Sequence, residues 1–197
     1  IYYMSLNYGG MEVFLADTTG KVNLLSGSQP QLDGLKLSEN GKKAAYLDTD
    51  ANTGDTILVE IELGKEKAET VATNVQSFGY IGNTLIYYFD YTEGVGTLGA
   101  AGSKTTIANA SGVQFTEDAV YYVADADAAT GHGELRAWDG KTETAIAKDV
   151  FAFQYKENGK LVYIGKYDVN AGVGDLYYYD GKEARKLDTG ITAIFIY

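Results

Sequence analysis

Short segments in which apolar and polar residues alternate run along this chain, and turn signals separate them. Between Asp149 and Gly190 there are four such segments, VFAFQY, KLVYIGKY, DLYYY and EARKL, bounded by Asn-Gly, by a glycine-containing loop and by Asp-Gly. Alternation of this length between such dipeptides is typical of strands joined by hairpins. The stretch therefore predicts a four-stranded antiparallel sheet.

The same pattern recurs along the chain. Its first strand has anchors at the first, fourth and sixth positions, as in Val150-x-x-Phe153-x-Tyr155. Related spacings are Leu32-x-x-Leu35-x-Leu37, Val75-x-x-Phe78-x-Tyr80, Ile191-x-x-Ile194-x-Ile196 and the shorter Val113-x-Phe115. They recur about every 40 residues, the length of a propeller blade. We therefore predict an all-β fold, a single-domain five-bladed β-propeller of four-stranded antiparallel blades, with blades at 31–73, 74–110, 111–148, 149–189 and 190–197 plus 1–30.

The two termini hold complementary parts of one blade. The chain starts with segments that match second, third and fourth strands, and it stops after a segment that matches a first strand, ITAIFIY. Pairing of the N- and C-terminal strands would complete the fifth blade and close the ring, which removes free sheet edges. Because the first residue is Ile1, we also expect a processed chain or an excised domain.

The segment from Leu37 to Leu63, LSENGKKAAYLDTDANTGDTILVEIEL, resembles the TolB-like family of propeller repeats. The turns Asn40-Gly41-Lys42 and Asn158-Gly159-Lys160 match that pattern, whereas Gly82-Asn83 and Glu117-Asp118 depart from it. The resemblance implies a propeller that is often periplasmic or extracellular and often a binding scaffold, and it implies no reaction. We therefore expect an extracellular, cell-surface or periplasmic location, within a larger bacterial protein.

Charge narrows the range of partners. The chain has 27 acidic and 16 basic residues, a formal net charge of −11, and no cysteine. Nucleic acids and anionic membrane surfaces bind basic patches, so we expect neither as a partner. No apolar run is long enough to span a bilayer, so we expect no membrane insertion by this domain. A monomer is expected.

Acidic residues concentrate in the loops that join second and third strands: Asp48, Asp50, Asp55, Asp90, Glu93, Asp125, Asp127 and Asp168. This rim is where we expect a protein or glycan partner. Asp48, Asp50, Asn52 and Asp55 also place oxygen donors at nearly alternate positions, as calcium loops do, although the glycine and glutamate positions of an EF-hand are not matched. The alternatives are a bound Ca²⁺ and ordinary turn chemistry. No other cofactor is expected.

In a propeller the inner strands line a central channel. The residue that follows the first anchor is expected to face the mouth of this channel, which gives Asp33, Gln76, Gln114, Phe151 and Thr192. This set either binds a small polar ligand such as a sugar or lines a water-filled channel.

Catalytic chemistry finds little support in the sequence. His132 is the single histidine, and no nucleophile is associated with it. A glycosidase needs two facing carboxylates, but Asp33 is the one acid at a predicted channel position. We therefore predict no catalytic residues and a non-enzymatic binding or scaffold module. The alternatives are a carbohydrate-binding, lectin-like propeller and a degenerate glycoside-hydrolase-like propeller.

Overall fold

The computed structural model describes the backbone of residues 2–7, 10–16, 22–26, 31–63, 65 and 68–195, and the side chains of 34–63, 65 and 68–195. Every regular element within these ranges is a β-strand, and none of them contains a helix that could cross a membrane. The strands are β1 (Tyr2–Asn7), β2 (Gly10–Ala16), β3 (Val22–Ser26), β4 (Gln31–Leu37), β5 (Lys43–Thr49), β6 (Thr56–Glu62), β7 (Ala68–Thr73), β8 (Val75–Ile81), β9 (Thr84–Thr92), β10 (Val95–Ala100), β11 (Thr106–Phe115), β12 (Val120–Ala124), β13 (Gly133–Trp138), β14 (Glu143–Glu157), β15 (Lys160–Asp168), β16 (Val173–Tyr179) and β17 (Ala184–Ile191). The expectation of an all-β fold is confirmed.

Strands that are consecutive in the chain are also neighbours in the sheets. β1 to β3 form a three-stranded sheet, β4 to β7 a four-stranded sheet, and β8 to β17 a ten-stranded sheet. The pairings are antiparallel hairpins, as between β5 and β6 or β15 and β16. The chain divides into two compact units, the first formed by 1–91 with 100–103 and the second by 92–99 with 104–197.

In the first unit, β5 and β6 are buried on both faces. Because successive residues of a strand point to opposite faces, adjacent residues of KAAYLDT pack in different clusters. One cluster contains Ala44, Tyr46, Val59 and Ile61, and the other contains Ala45, Leu58, Val75, Phe78 and Leu85. A central strand with two buried faces therefore has less polar alternation than a strand with one exposed face.

The core of the second unit joins two hairpins. Its buried residues are Ala119, Tyr121, Val123, Leu135, Val150, Phe153, Leu161 and Tyr163, from β12 to β15 and the turn before β12. Burial of each large apolar side chain contributes about 1.5–3 kcal/mol. All five residues of β12 are buried, whereas β17 is exposed along nearly its whole length. The polar sequence of the fourth strands agrees with this exposure.

Three of the predicted blade boundaries, at 110/111, 148/149 and 189/190, fall inside continuous strands. β11 and β14 each contain a residue with left-handed backbone, Asn109 with φ 55° and Asp149 with φ 58°. Short polar side chains tolerate this conformation, so the chain turns there while it stays in the sheet. This accounts for the length of the sheet that contains these strands.

The left-handed residues also correct the alignment of the repeats. Asn74 (φ 54°), Asn109 and Asp149 immediately precede the buried residues Val75, Ala110 and Val150. Ala110 is therefore the first anchor of its repeat, and Ala110-x-x-Val113-x-Phe115 has the full spacing. An alanine gives a weak apolar signal, which is why the sequence suggested a shorter repeat. Ser111, rather than the predicted Gln114, follows this anchor.

The predicted closure of the ring is not observed. Residues Gly190 and Ile191 end β17, and 192–195 form no strand, while 196 and 197 lie outside the described residues. Among the described strands, β1 has β2 as its single neighbour. The sheets are therefore not closed, and the number of five blades is not confirmed.

Candidate functional site

Three loops between second and third strands have the same construction. In each loop the Oδ1 atom of an aspartate accepts hydrogen bonds from the backbone N–H groups two and three residues later, at 2.8 to 3.2 Å. Its carbonyl accepts a hydrogen bond from a glycine four residues later, which has a left-handed φ. The pairs are Asp50 with Gly54, Asp127 with Gly131 and Asp168 with Gly172. The recurrent Asp-x-x-x-Gly in the sequence is the signal that the repeat analysis missed.

A second glycine fixes the chain after two of these loops. A Cβ atom on Gly133 would lie 2.4 Å from the carbonyl oxygen of Ala124, and one on Gly174 would lie 2.9 Å from that of Gly165. Any side chain at these positions would collide with the backbone of the neighbouring strand. The Gly-x-Gly that ends each loop therefore holds the loop close to the sheet.

Two carboxylates of the predicted cation loop, those of Asp48 and Asp50, accept hydrogen bonds from nearby backbone N–H groups. The hydrogen bonds from the Asn52 and Thr53 N–H groups hold the pKa of Asp50 below its ordinary value of 3.8. Asp48 is buried, and its Oδ1 accepts a hydrogen bond from the Thr49 N–H at 2.8 Å. Asp55 contacts the loop through its backbone. Across the described ranges, no group of three or more acidic or histidine side chains is placed to hold a metal ion. The geometry favours turn chemistry, and calcium at this loop stays a prediction.

His132, which the sequence left without a partner, is paired with an acid. Its Nδ1 lies 2.5 Å from Oδ1 of Asp149, and its side chain is 17% exposed. Nε2 is buried and has no hydrogen-bond partner. When the Nδ1–H group donates a hydrogen bond to the carboxylate, the neutral imidazole presents a lone pair on Nε2. The pairing holds the imidazole in one orientation between its loop and β14.

A stacked pair of aromatic rings lies next to this histidine. The rings of Phe151 and Tyr167 stack, with their centroids 3.9 Å apart and their planes 3° apart. The His132 ring packs edge-to-face with Phe151, with a distance of 6.0 Å between the ring centroids. A Cβ on Gly131 would lie 3.3 Å from the Phe151 ring. Phe151 therefore lies between Tyr167 and the loop of His132. We call Tyr167, Phe151 and His132 the aromatic column.

A ligand-binding role for the predicted channel-mouth set stays a prediction. Gln76 and Thr192 are exposed, and Asp33 lies in β4 with its side chain outside the described residues. Gln114 bridges two strands instead. Its Nε2 donates to the Phe153 carbonyl at 3.0 Å, and its Oε1 accepts from the Tyr155 N–H at 3.0 Å.

Gln114 thus uses its amide within the fold. Ser111, which takes the position predicted for Gln114, donates its hydroxyl hydrogen to the Val123 carbonyl at 3.2 Å. Of the five predicted ligand residues, Phe151 is the one found in the aromatic column. Sequence reasoning missed His132, Asp149 and Tyr167 as its neighbours. The signal available for them was the Gly-His-Gly segment and the acid directly before the Val150 anchor.

Solved structures similar to this chain include a β-propeller domain of a protease. The β-propeller domain of the trilobed protease from Pyrococcus furiosus matches with a TM-score of 0.53 and 14% identity, over 94% of this chain and 66% of that one. This chain has a β-propeller fold. An acylaminoacyl peptidase from Pyrococcus horikoshii matches with a TM-score of 0.52 and 14% identity, over 94% of this chain and 37% of that one.

TolB from Acinetobacter baumannii matches with a TM-score of 0.46 and 12% identity, over 96% of this chain and 52% of that one. No protein-family model and no curated protein sequence matches the chain. The propeller spans 44% and 37% of the length of the first two acylaminoacyl peptidases compared. Membership of the TolB-like family stays a prediction.

Proposed function

We propose that this propeller is a non-enzymatic recognition or scaffold module of a larger extracytoplasmic bacterial protein, and that it binds a protein or glycan partner at its loop face. The loop face consists of residues 125–132 and 168–172 with the aromatic column and Asp149. The observation that carries the proposal is the stacked Phe151–Tyr167 pair beside two loops of the same rigid construction. The resemblance to propeller scaffolds agrees with this role.

Rigid loops suit recognition because little conformational entropy is lost when a partner binds them. Their aspartates and glycines already fix the backbone through local hydrogen bonds. Tyrosine adds a large apolar ring with a polar tip, which is favoured in interfaces. Asp125, Asp127 and Asp168 are exposed and give the face a negative field. Such a field accelerates association with basic partners at low salt.

A carbohydrate ligand is the second candidate. The observation in its favour is the half-buried Tyr167 ring next to exposed carboxylates, since a sugar ring packs on an aromatic face while its hydroxyls bond to acids. The degenerate glycosidase interpretation depends on Asp33, whose side chain lies outside the described residues. It has less support than either binding role.

Replacement of Tyr167 tests the loop face. We expect Tyr167→Ala to weaken the binding of a peptide selected on the wild-type chain from a random-peptide library by about tenfold, or about 1.4 kcal/mol, because an aromatic contact surface is lost. Isothermal titration calorimetry measures the change. The matched control is Tyr178→Ala, a half-buried tyrosine of β16 that contacts Arg185.

A glycan array on the same variants separates the candidates. Binding of glycans but not peptides, lost in Tyr167→Ala, would favour the carbohydrate-binding alternative. Equal binding by Tyr167→Ala and wild type in both assays would contradict the loop face as the binding surface.

We also propose that 190–197 pairs with β1 and closes a five-bladed ring. Gly190 has a left-handed φ of 71° directly before Ile191, as Asn74, Asn109 and Asp149 have before the anchors Val75, Ala110 and Val150. Ile191 pairs with Gly174 in the same way that Val150 pairs with Gly133. The trilobed protease domain has an open velcro topology, so an open ring is the alternative.

Substitution of Ile194, the anchor at the fourth position of its segment, distinguishes the closed ring from the open ring. In a closed ring Ile194 is buried, so Ile194→Ala should lower the free energy of unfolding by about 1–2 kcal/mol. Thr192→Ala, at an exposed position, should change it by less than about 0.5 kcal/mol. Urea denaturation gives both values, and equal small effects would support the open ring.

A further inference from the structure

One side-chain atom of the loop face is buried without a hydrogen-bond partner, the Nε2 atom of His132. It is the single such side-chain atom in the part of the chain that the structure describes. The other ring nitrogen, Nδ1, lies 2.5 Å from the carboxylate of Asp149. A second proton on the ring would change Nε2 from an acceptor into a charged donor. The surroundings of this atom therefore suit the neutral imidazole.

Asp149 differs from the residues at the same position of two earlier repeats. There an asparagine with left-handed backbone precedes the first anchor, and its side-chain amide donates to an aspartate across the strand pair at 3.2 to 3.3 Å. These pairs are Asn74 with Asp90 and Asn109 with Asp125. Asp149 bonds instead to His132, and the residue opposite it on β15 is Lys166. This repeat thus has a titratable histidine–acid pair where the others have an amide and an acid.

Both signs of charge occur on the elements next to His132. Their titratable groups are Asp149 of β14, Asp125 and Asp127 of its own loop, and Lys166 and Tyr167 of β15. The hydrogen bonds of its turn, and to a smaller extent the charge of His132, hold the pKa of Asp127 below its ordinary value of 3.8. The acids favour an imidazolium, whereas Lys166 and burial of the ring oppose it.

Protonation has two opposed effects on this side chain. The contact with Asp149 becomes an ion pair, but the Nε2–H group is left in a buried place without an acceptor. One unpaired buried donor shifts an equilibrium by about fivefold to a hundredfold. The Asp149 side chain is 52% exposed, so an imidazolium keeps its ion pair at the surface when it turns Nε2–H toward water. That turn breaks the edge-to-face contact with Phe151.

We propose that His132 is a proton-sensitive latch, which holds the 125–132 loop against β14 when the ring is neutral and releases the loop when the ring gains a second proton. Histidine ordinarily changes its charge between about pH 5 and 8, and the chain has one histidine and no cysteine. The effect of the latch on binding rests on the function proposed above, because His132 belongs to the loop face. A partner bound there at neutral pH is released in acid.

The first test follows the free 197-residue chain by NMR from about pH 8 to about pH 5. Because His132 is the single histidine, one set of imidazole signals reports its protonation. We expect the nuclear Overhauser effect between the His132 and Phe151 rings to be present at neutral pH and to disappear as the imidazole gains its proton. The inference is overturned if the ring becomes protonated and this contact persists.

Substitution of Asp149 tests the charge that faces the latch. Asp149→Asn places there the residue type of the earlier repeats, and it should move the loss of the ring contact to lower pH by about one pH unit, because the imidazolium loses a neighbouring negative charge. The matched control is Asp118→Asn, an exposed acid before the other end of β12, which should leave the midpoint unchanged. Equal midpoints in Asp149→Asn and wild type would also overturn the inference.

The second test measures binding of the peptide selected on the wild-type chain, chosen without histidine so that the peptide side chains keep their charge over this range. Isothermal titration calorimetry should give a Kd about tenfold higher at about pH 5.5 than at about pH 7.5. In His132→Asn the side chain does not titrate, so the two Kd values should agree within about twofold whatever their size. A tenfold ratio that persists in His132→Asn contradicts the latch.

The outcomes separate the latch from the loop face itself. If Tyr167→Ala weakens the peptide but wild type binds it equally at both pH values, the inference is overturned and the loop face stands. If Tyr167→Ala binds as wild type does at both pH values, the loop face fails as the binding surface. The ring contact in the free chain then decides the latch.

Discussion

Gly133→Ala is expected to lower the free energy of unfolding by about 3 kcal/mol or more. The added methyl would lie 2.4 Å from the Ala124 carbonyl oxygen and 2.6 Å from Cγ1 of Val123. The first of these atoms belongs to the backbone of β12, whose residues are all buried. Relief of the clash requires β12 and β13 to separate, which disrupts the core of the second unit. Urea denaturation followed by circular dichroism measures the loss.

Gly94→Ala is the matched control for this substitution. Gly94 has a left-handed φ of 91°, and a Cβ placed on it meets no atom within 4 Å. Its replacement should therefore cost only the backbone strain of a left-handed alanine, about 1 kcal/mol. If Gly133→Ala destabilises the chain no more than Gly94→Ala does, the close approach of β13 to β12 is not what requires this glycine.

Gln114→Ala should lower the free energy of unfolding by about 3 kcal/mol. The side-chain amide bonds to both the Phe153 carbonyl and the Tyr155 N–H, and Phe153 is itself part of the core. Removal of the amide leaves a partly buried donor and a partly buried acceptor on β14 without partners, and each costs about 1–3 kcal/mol. Thermal or urea unfolding gives the change.

Two further substitutions test whether the lost hydrogen bonds of the Gln114 amide cause this destabilisation. Gln154→Ala removes the same type of side chain from an exposed position of β14, so it should change stability by less than about 0.5 kcal/mol. Gln114→Glu keeps an acceptor for the Tyr155 N–H but removes the donor to the Phe153 carbonyl. Its effect should lie close to that of the alanine variant, because a partly buried charge then faces a carbonyl oxygen. If Gln114→Ala is as stable as wild type, the hydrogen bonds of Gln114 to β14 contribute nothing to the free energy of unfolding.

Local pattern was sufficient for the strands of this chain. The segment KLVYIGKYD forms β15, and TILVEIEL contains the whole of β6, because alternation and turn residues act over a few neighbouring positions. The exposure of the fourth strands could also be predicted, since a polar segment gains little by burial. The position of Ala110 could not, because a methyl group becomes an anchor only where the neighbouring strands approach closely.

For the candidate site, too, the sequence predicted one part and missed another. The sequence alone placed Phe151 on the loop side of its strand, and it identified the acidic character of the loops that surround it. It did not connect Phe151 with Tyr167, His132 and Asp149, since their contacts join residues 16 and 17 positions apart across different strand pairs. Those contacts depend on strand register and on left-handed residues that bend the sheet.

The sequence by itself thus determined the strand content and the acidic loops, because both follow from side-chain chemistry within short segments. Only the tertiary structure decided that the Gln114 amide bonds to the backbone of β14, and that His132 has an acidic partner. A side chain's hydrogen-bond partner depends on which distant backbone comes within about 3 Å of it. That distance is set by the packing of whole hairpins, which the alternation of apolar and polar residues does not specify.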